Sequence, residues 1–244
     1  MSTKTCLLTG VGNPASLGHG IARALADDGW DLALVAYRTS DGLDELVADL
    51  GRRGRRVSVQ LADLADPDEP ERVLDRATAE HGTVAALVLS HAEGVDSTLL
   101  GTSTESFDRH LAVNARAPWL LIKAFAERLP PVEELPDGAR VVALTSDHTV
   151  GNLPYGASKG ALDRIVIAAA RELGPLGVSS NVVNPGPVDT GWMDDETRTW
   201  LTGLQPTGRL GTPVDTGRTV RFLLSPEGRW ISGQLIGVDG GFSV

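Results

Sequence analysis

The segment Thr9–Gly20 (TGVGNPASLGHG) decides the fold, because it joins a β-rich apolar run to the first helical pattern. Glycines at a strand-to-helix turn let the backbone approach a pyrophosphate, and the helix N-terminus supplies N–H donors and the positive end of a dipole. Glycines alone would also suit any tight turn. Their position between the first strand and the first helix is what indicates a dinucleotide site.

Strand and helix patterns alternate from this turn to the end of the chain. Ala85–Leu89 (AALVL) is typical of a strand buried on both faces of a parallel sheet. We therefore expect an α/β protein, a single domain over 1–244 with a doubly wound parallel sheet and helices on both faces. Seven strands are predicted, over Lys4–Thr9, Asp31–Ala36, Arg56–Gln60, Val84–Ser90, Arg140–Thr145, Val178–Asn184 and Gln234–Val238. Six helices are predicted, over Gly18–Asp28, Asp41–Arg53, Pro67–His81, Thr104–Leu129, Pro154–Glu172 and Pro213–Leu224.

Composition narrows the function classes. The net charge of −10 argues against binding to nucleic acid or to an anionic membrane, and no apolar run approaches the length of a membrane span. The first residues do not have the pattern of a signal peptide. A lone cysteine, Cys6, suits a reducing cytosol, so we expect a cytoplasmic protein. The five histidines lack metal-ligand spacing, so no metal site is predicted.

The end of the second strand carries the signal for the cofactor. An NAD site usually has an acid there for the ribose hydroxyls, whereas an arginine accommodates a 2′-phosphate. Here Arg38 is followed by Thr39 and Ser40, which predicts NADP(H). Asp41 lies close enough to keep NAD(H) as the alternative.

Tyr155 and Lys159 open the fifth predicted helix, four residues apart and therefore on one helix face. The chain has only two tyrosines and three lysines, so chance is a poor explanation for the pairing. A neighbouring cation favours the phenolate, and we expect Lys159 to lower the pKa of Tyr155. Ser146 follows the fifth strand, where ligands of such a sheet bind, and is a candidate donor to a substrate oxygen.

Pro118 lies four residues after Asn114 within the long predicted helix. Because proline has no N–H, the Asn114 carbonyl cannot receive its helical hydrogen bond from position 118. This leaves the carbonyl available for a water molecule, and it also predicts a kink in the helix.

These features together resemble the short-chain dehydrogenase/reductase family along essentially the whole chain. The motifs that carry the resemblance are the Thr9–Gly20 turn, Asp63-Leu64, Ser90-His91-Ala92-Glu93, Asn114, Ser146, Tyr155, Lys159, Pro185–Thr190 (PGPVDT), Gly208–Pro213 (GRLGTP) and Ser232–Gly241. The resemblance is closest to the 3-oxoacyl-carrier-protein reductase group. It is specific for the family and says little about the substrate.

The resemblance implies a role for each matching residue. Tyr155 is the acid–base, Lys159 lowers its pKa and holds the nicotinamide ribose, Ser146 orients the substrate oxygen, and Asn114 completes a proton relay through water. Asp63 and Leu64 border the adenine. The full set of cofactor-binding residues expected is Gly10, Ser16, Leu17, Gly18, Gly20, Arg38, Asp63, Leu64, Ser90, His91, Ala92, Tyr155, Lys159, Pro185, Gly186, Val188 and Thr190.

Three departures from the family pattern stand out. The glycine turn is longer than usual and resembles that of enoyl-acyl-carrier-protein reductases, yet Tyr155 and Lys159 are four apart rather than the seven of that branch. The interval from Ser146 to Tyr155 is short, so Thr145 and Thr149 are alternatives for Ser146. His91 and Glu93 replace the usual Asn and Gly. The segment 191–204 corresponds to the family's substrate lid, with Trp192 and Met193 as an apolar wall and Trp200 as an alternative core residue.

The resulting hypothesis is an NADP(H)-preferring oxidoreductase that interconverts a ketone and a secondary alcohol. A 3-oxoacyl thioester is one candidate substrate. The alternatives are an enoyl reductase and a cofactor-binding regulator without turnover. We also expect a homotetramer, with a dimer as the smaller alternative, because helix 154–172 is apolar nearly all round and one stripe would cover the sheet.

Overall fold

The computed structural model describes residues 4–244, which form seven strands and eight α-helices around one parallel sheet. The strands are β1 (Thr5–Thr9), β2 (Asp31–Ala36), β3 (Val57–Leu61), β4 (Val84–Leu89), β5 (Ala139–Leu144), β6 (Val178–Asn184) and β7 (Leu235–Gly237). The helices are α1 (Leu17–Asp27), α2 (Asp41–Arg52), α3 (Glu69–His81), α4 (Thr104–Leu111), α5 (Ala117–Glu127), α6 (Leu153–Glu172), α7 (Asp195–Leu204) and α8 (Pro213–Leu224). The predicted seven-stranded α/β fold is confirmed, with element ends displaced by one or two residues.

The strand order is β3-β2-β1-β4-β5-β6-β7, and every pairing is parallel. The order reverses between β1 and β4, so the carboxyl ends of these two strands flank the crevice in which doubly wound sheets bind dinucleotides. The topology therefore places the Thr9–Gly20 turn and the residues after β4 next to each other at this crevice.

Two apolar layers cover the sheet, one on each face. Helices α1, α2 and α8 enclose one cluster, which contains Ile21, Leu46 and Val220, and helices α3, α5 and α6 enclose the other, which contains Leu74, Phe125 and Val166. Because both faces are covered, the central strands β1, β4, β5 and β6 are almost entirely buried, and β4 is apolar along its whole length. Cys6 lies within β1 and is fully buried, and this burial raises the pKa of its thiol.

The long helix predicted over 104–129 is interrupted, because residues 112–116 form a π-helical turn between α4 and α5. Within this turn the Ala117 N–H donates to the carbonyl of Ala112, five residues back. Pro118 has no N–H for either of the next two carbonyls, those of Val113 and Asn114. The proline thus explains why the regular helical bonding changes at this point.

The segment predicted as a lid contains α7, a helix that the sequence pattern did not indicate. Asp194 caps it by accepting a hydrogen bond from the Thr197 N–H at 2.7 Å. Trp200 lies on its outer side with 62% of its surface exposed, so its assignment as a core residue is wrong. Met193 is buried instead, whereas Trp192 is exposed. Within residues 4–244 no helix combines the length and apolar character that a membrane crossing requires.

Candidate active site and cofactor cleft

The glycine turn packs directly onto the end of β4. Gly10 adopts a φ of +81°, and a Cβ at this position would stand 2.5 Å from the Ser90 carbonyl, so only glycine fits. The turn is tied to both of its neighbours. Ser40 Oγ donates to the Gly12 carbonyl at 2.8 Å, and Asn13 Nδ2 donates to the Thr190 carbonyl at 3.0 Å. The loop therefore links α2 with the segment that follows β6, and it spans the cleft.

Two residues of the turn, both predicted to bind the cofactor, have different surroundings in the structure. Ser16 precedes α1, and its buried hydroxyl has no hydrogen-bond partner among residues 4–244. A buried, unpartnered hydroxyl at a helix N-terminus fits a phosphate oxygen. Gly20, predicted to bind the cofactor, lies instead against α8, because a Cβ there would overlap the Pro213 carbonyl. Its small size serves the close contact between α1 and α8.

The end of β2 is open to solvent. Tyr37 and Arg38 are exposed, and Arg38 makes no ion pair with any residue in 4–244. Ser40 caps α2 by accepting from the Leu43 N–H at 3.2 Å, and Asp41 lies in the first turn of that helix, where its charge complements the helix dipole. Arg38 is therefore an unpaired cation at the position where a 2′-phosphate would lie.

Tyr155 and Lys159 share one face of α6, as the spacing predicts. The Nζ of Lys159 lies 5.6 Å from the centroid of the Tyr155 ring and donates to the Leu144 carbonyl at 2.8 Å. Lys159 is only 2% exposed, and burial lowers its pKa to about 8, while Asp163 raises it. Burial also raises the pKa of Tyr155 above its usual value. Burial therefore outweighs the lowering of this pKa that was expected from Lys159, whose ammonium donates to the Leu144 carbonyl.

Ser146 is the hydroxyl that pairs with Tyr155. Ser146 lowers the pKa of Tyr155 and so opposes the effect of burial, which is the larger of the two. Ser146 Oγ also accepts from the His148 N–H at 3.2 Å. Of the two alternatives, Thr145 is buried and Thr149 packs against Gly156. His148 itself is exposed and bonds to the Val150 carbonyl.

Asn114 uses its whole side chain to fix the surroundings of Tyr155. Its Oδ1 accepts from the Glu93 N–H at 2.7 Å, and its Nδ2 donates to the Glu93 carbonyl at 2.8 Å and to Ser158 Oγ at 2.9 Å. Ser158 Oγ in turn donates to the Tyr155 carbonyl at 2.8 Å. The buried carboxamide of Asn114 thereby joins three parts of the chain, which are the π-helical turn, the segment after β4 and α6.

His91 is turned into the protein beneath the cleft. Burial, and secondarily the charge of Lys159, lowers the pKa of His91 to about 3, so the ring is neutral at physiological pH. Its Nε2 lies 3.0 Å from the Val113 carbonyl, which can only accept, and its Nδ1 lies 2.7 Å from Thr9 Oγ1. The proton is therefore on Nε2, and Thr9 donates to Nδ1. The side chain ties β1 to the π-helical turn and leaves only its backbone for a ligand.

The segment after β6 forms the opposite wall. Pro185 and Val188 are buried, and Gly186 has a φ of +62° and packs against Asp239. Val188 forms a bridge with Gly211, which fixes the start of the lid segment. Thr190 receives the Asn13 bond described above. The structure therefore brings the predicted residues of this motif to the cleft.

Sequence reasoning missed Arg109. It projects from α4 to Asp63 after β3 and to Glu93 after β4, and its guanidinium lies over the ring of Tyr37. The only available signal was the charge at Glu93, where the family usually has glycine.

Comparisons with known proteins agree with this geometry. The family model described as enoyl-(acyl carrier protein) reductase matches residues 10–243. An uncharacterized oxidoreductase of Bacillus subtilis (strain 168), YjdA, is 33% identical, with 98% of this chain and 96% of that protein covered. A short-chain dehydrogenase from Burkholderia cenocepacia J2315, solved in complex with NADP, superposes with a TM-score of 0.90 at 29% identity, covering 99% of this chain and 98% of that one. A 3-oxoacyl-[acyl-carrier protein] reductase from Brucella melitensis gives a TM-score of 0.90 at 26% identity, covering 100% and 98%.

The family relationship supports NADP(H) as the cofactor. The chain belongs to the short-chain dehydrogenase/reductase family and is an NAD(P)-dependent oxidoreductase.

Proposed function

We propose that the chain interconverts a ketone and a secondary alcohol with NADP(H), and that Tyr155 moves the proton. The observation that carries the proposal is the arrangement of Tyr155 beside Ser146, with Lys159 on the same face of α6. When bound, the nicotinamide supplies or accepts the hydride at the carbon that bears the oxygen. Tyr155 gives its phenolic proton to that oxygen in reduction and takes it back in oxidation.

The neighbouring groups support this proton transfer. The Ser146 hydroxyl bonds the same substrate oxygen and stabilises its developing charge. Lys159 holds the nicotinamide ribose and lowers the pKa of Tyr155 once it leaves the Leu144 carbonyl. The Asn114 carbonyl, which Pro118 cannot bond, holds the water that returns a proton to the site.

The remaining cofactor contacts follow from the cleft. Arg38 binds the 2′-phosphate, and Ser16 with the N-terminus of α1 binds the pyrophosphate. Asp63 and Leu64 border the adenine, whereas Pro185, Gly186, Val188 and Thr190 border the nicotinamide. The segment 190–205 acts as the substrate lid of a single domain.

A 3-oxoacyl thioester is the substrate that we propose first, because the Brucella melitensis reductase named for that activity has the same fold over the whole chain. Enoyl reduction is the second candidate, since the matching family model carries that description and the glycine turn is long. The spacing of four between Tyr155 and Lys159 favours the ketone. A regulator without turnover is disfavoured by the complete set of Asn114, Ser146, Tyr155 and Lys159.

A turnover screen tests the proposal. The purified chain is mixed with NADPH or NADH and with simple ketones, 3-oxoacyl thioesters or enoyl thioesters, and cofactor absorbance is followed. We expect consumption of NADPH with ketones or 3-oxoacyl thioesters, and the Tyr155→Phe variant serves as the control. Turnover of enoyl thioesters alone would favour the second candidate, and no turnover with clear cofactor binding would favour a regulator.

We also propose a homotetramer that works in the cytoplasm. The helix 154–172, the helix 104–129 and the C-terminal strand are the surfaces that the family resemblance assigns to subunit contacts. Trp119 on α5 is an exposed apolar side chain in one of these regions, and Trp230, five residues before β7, is another close to the C-terminal strand. The single buried cysteine agrees with a reducing compartment.

A further inference from the structure

Arg109 connects three strand ends at one edge of the cofactor cleft. Its Nε donates to Glu93 Oε2 at 3.0 Å, and its two terminal nitrogens reach the two oxygens of Asp63 at 3.3 and 3.4 Å. The guanidinium carbon lies 5.8 Å from the centroid of the Tyr37 ring, within the range of a cation–π contact. We call Tyr37, Asp63, Glu93 and Arg109 the Arg109 clasp.

The clasp borders the half of the cleft that receives adenosine. In a doubly wound sheet the pyrophosphate lies at the first helix and the adenosine ribose lies at the end of β2. Tyr37 follows β2, Asp63 follows β3 and Glu93 follows β4. The proton-transfer residues Tyr155 and Ser146 belong to α6 and to the end of β5, on the other half of the sheet order.

Glu93 is held more firmly than the other acid of the clasp. Its backbone N–H and carbonyl both bond the Asn114 side chain, at 2.7 and 2.8 Å. Its carboxylate makes the shortest bond to Arg109, whereas both Asp63 bonds are longer. Asp63 nevertheless holds the guanidinium through both of its carboxylate oxygens and is the first cause of the raised pKa of Arg109, so Glu93 contributes a second anchor, at Nε.

Arg109 also balances charge where phosphates must approach. Asp63 and Glu93 bring two carboxylates to the edge of a cleft that binds an anionic dinucleotide. With Arg109 between them the three side chains carry a net charge of about −1 instead of −2, which reduces repulsion of the cofactor.

We propose that Glu93 is a positioning residue for cofactor binding, which holds Arg109 across the adenosine end of the cleft so that Arg109 and Tyr37 form its outer wall. The inference rests on the cofactor assignment within the proposed function. Glu93 acts through Arg109 and not on the reacting atoms, so its contribution belongs to the affinity for the adenosine half.

Calorimetric titration with 2′,5′-ADP, which is the adenosine half of NADP, tests the clasp without any turnover. Glu93→Ala breaks the shortest bond, and we expect the Kd of 2′,5′-ADP to rise roughly three- to tenfold, as for a partly exposed charge-assisted bond. Glu93→Gln keeps an acceptor for Arg109 Nε and should restore the Kd to within about twofold of the native value. The Kd of NADPH should rise by the same factor as that of 2′,5′-ADP, whereas a general distortion of the cleft would weaken NADPH further.

Arg109→Gln tests the same bond from its other side and remains informative if Glu93→Ala does not fold. The double variant should bind 2′,5′-ADP no more weakly than Arg109→Gln alone, because Glu93 acts through Arg109. Arg128→Gln is the matched control, since Arg128 follows α5 and pairs with Glu71 and Asp75 of α3, outside the clasp; it should leave the Kd unchanged.

Native binding with an unchanged Kd in Glu93→Ala and Arg109→Gln would overturn the clasp and leave the proposed function standing. The clasp would also be overturned if the rise in the Kd of 2′,5′-ADP in the double variant equalled the product of the rises in the two single variants. A native chain that binds neither 2′,5′-ADP nor NADPH would overturn the cofactor assignment, and the clasp with it.

Discussion

At the scale of single residues, the proposed proton transfer depends on one atom, the phenolic oxygen of Tyr155. Tyr155→Phe removes the hydroxyl and keeps the ring that packs in the first turn of α6. We expect turnover to fall by a factor of at least about 10² with little change in the Kd of NADPH, since general acid–base catalysis contributes roughly 10²–10⁴-fold. Steady-state kinetics and a fluorescence titration measure the two quantities. A variant with more than about a tenth of the native kcat would contradict the assignment.

Lys159 is expected to destabilise the folded chain at neutral pH. Its pKa is about 8 in the folded state, below the ordinary value of 10.5, so folding disfavours the charged form. The penalty is complete below pH 8, shrinks as the pH rises, and vanishes near pH 10.5. Lys159→Met should therefore raise the free energy of unfolding at pH 7 by up to about 3 kcal/mol, at roughly 1.4 kcal/mol per pKa unit.

Urea unfolding of the native chain and of Lys159→Met between pH 6.5 and 10.5 measures this difference. A gap that stays constant over this range would show that packing, not charge, distinguishes the two proteins.

Arg38 is expected to select between the two nicotinamide cofactors. Arg38→Ala removes the unpaired cation at the end of β2, and a charge-assisted bond to phosphate is worth about 1.5–3 kcal/mol, or roughly 10- to 100-fold in Kd. The loss should fall on NADPH and spare NADH, as titrations with both cofactors would reveal. An equal loss of affinity for NADPH and NADH would assign Arg38 a structural role. A native chain that prefers NADH would contradict the assignment of Arg38 to the 2′-phosphate.

At the scale of elements, Pro118 sets the bonding of the turn that carries Asn114. Pro118→Ala supplies an N–H four residues after Asn114, where it can occupy the carbonyl that we assign to the relay water. We expect kcat to fall by between about tenfold and a hundredfold, because only the return of the proton is impeded. The Kd of NADPH should not change. An unaltered kcat would show that the relay does not need this carbonyl.

The same helix shows which structural features could be predicted from the sequence and which could not. Apolar periodicity predicted one helix over 104–129, and the proline correctly marked its weak point. Periodicity could not show that residues 112–116 take a π-helical turn, nor that His91, which is distant in sequence, bonds the Val113 carbonyl that Pro118 leaves free.

Local patterns likewise predicted the Tyr155–Lys159 face, since four residues on a helix fix it. They missed Arg109, because its partners at Asp63 and Glu93 meet it only in the folded sheet. The pKa of Tyr155 is raised by burial, which the spacing of two residues along the chain does not encode.

At the scale of the whole molecule, exposed apolar surface supports self-association. Trp230 is 97% exposed and Trp119 is half exposed, while Ile165 and Ile167 of α6 pack partly against the chain's own core. The second apolar face of α6 is thus partly covered within the chain. The expectation of self-association therefore depends more on the exposed tryptophans than on α6. We expect size-exclusion chromatography with light scattering to give about four times the 25.7 kDa chain mass.

The tryptophans also supply the variant for this experiment. Trp230→Ser should shift the mass toward a smaller species at the same concentration, whereas Trp200→Ser, on the exposed side of the lid helix, should not. A native mass near that of one chain at micromolar concentration would contradict self-association.

The position of Cys6 makes the protein convenient for site-specific labelling. The only thiol of the chain is enclosed within β1, and its raised pKa keeps it protonated at neutral pH. Exposed thiolates attack maleimide reagents, whereas the buried, protonated Cys6 does not, so the folded native chain behaves as a cysteine-free background. A cysteine introduced in place of exposed Tyr37 or Trp230 is then the single reactive site without any prior removal of Cys6. A fluorophore at the first position would report the arrival of the cofactor, and one at the second would mark the surface at which we expect subunits to meet.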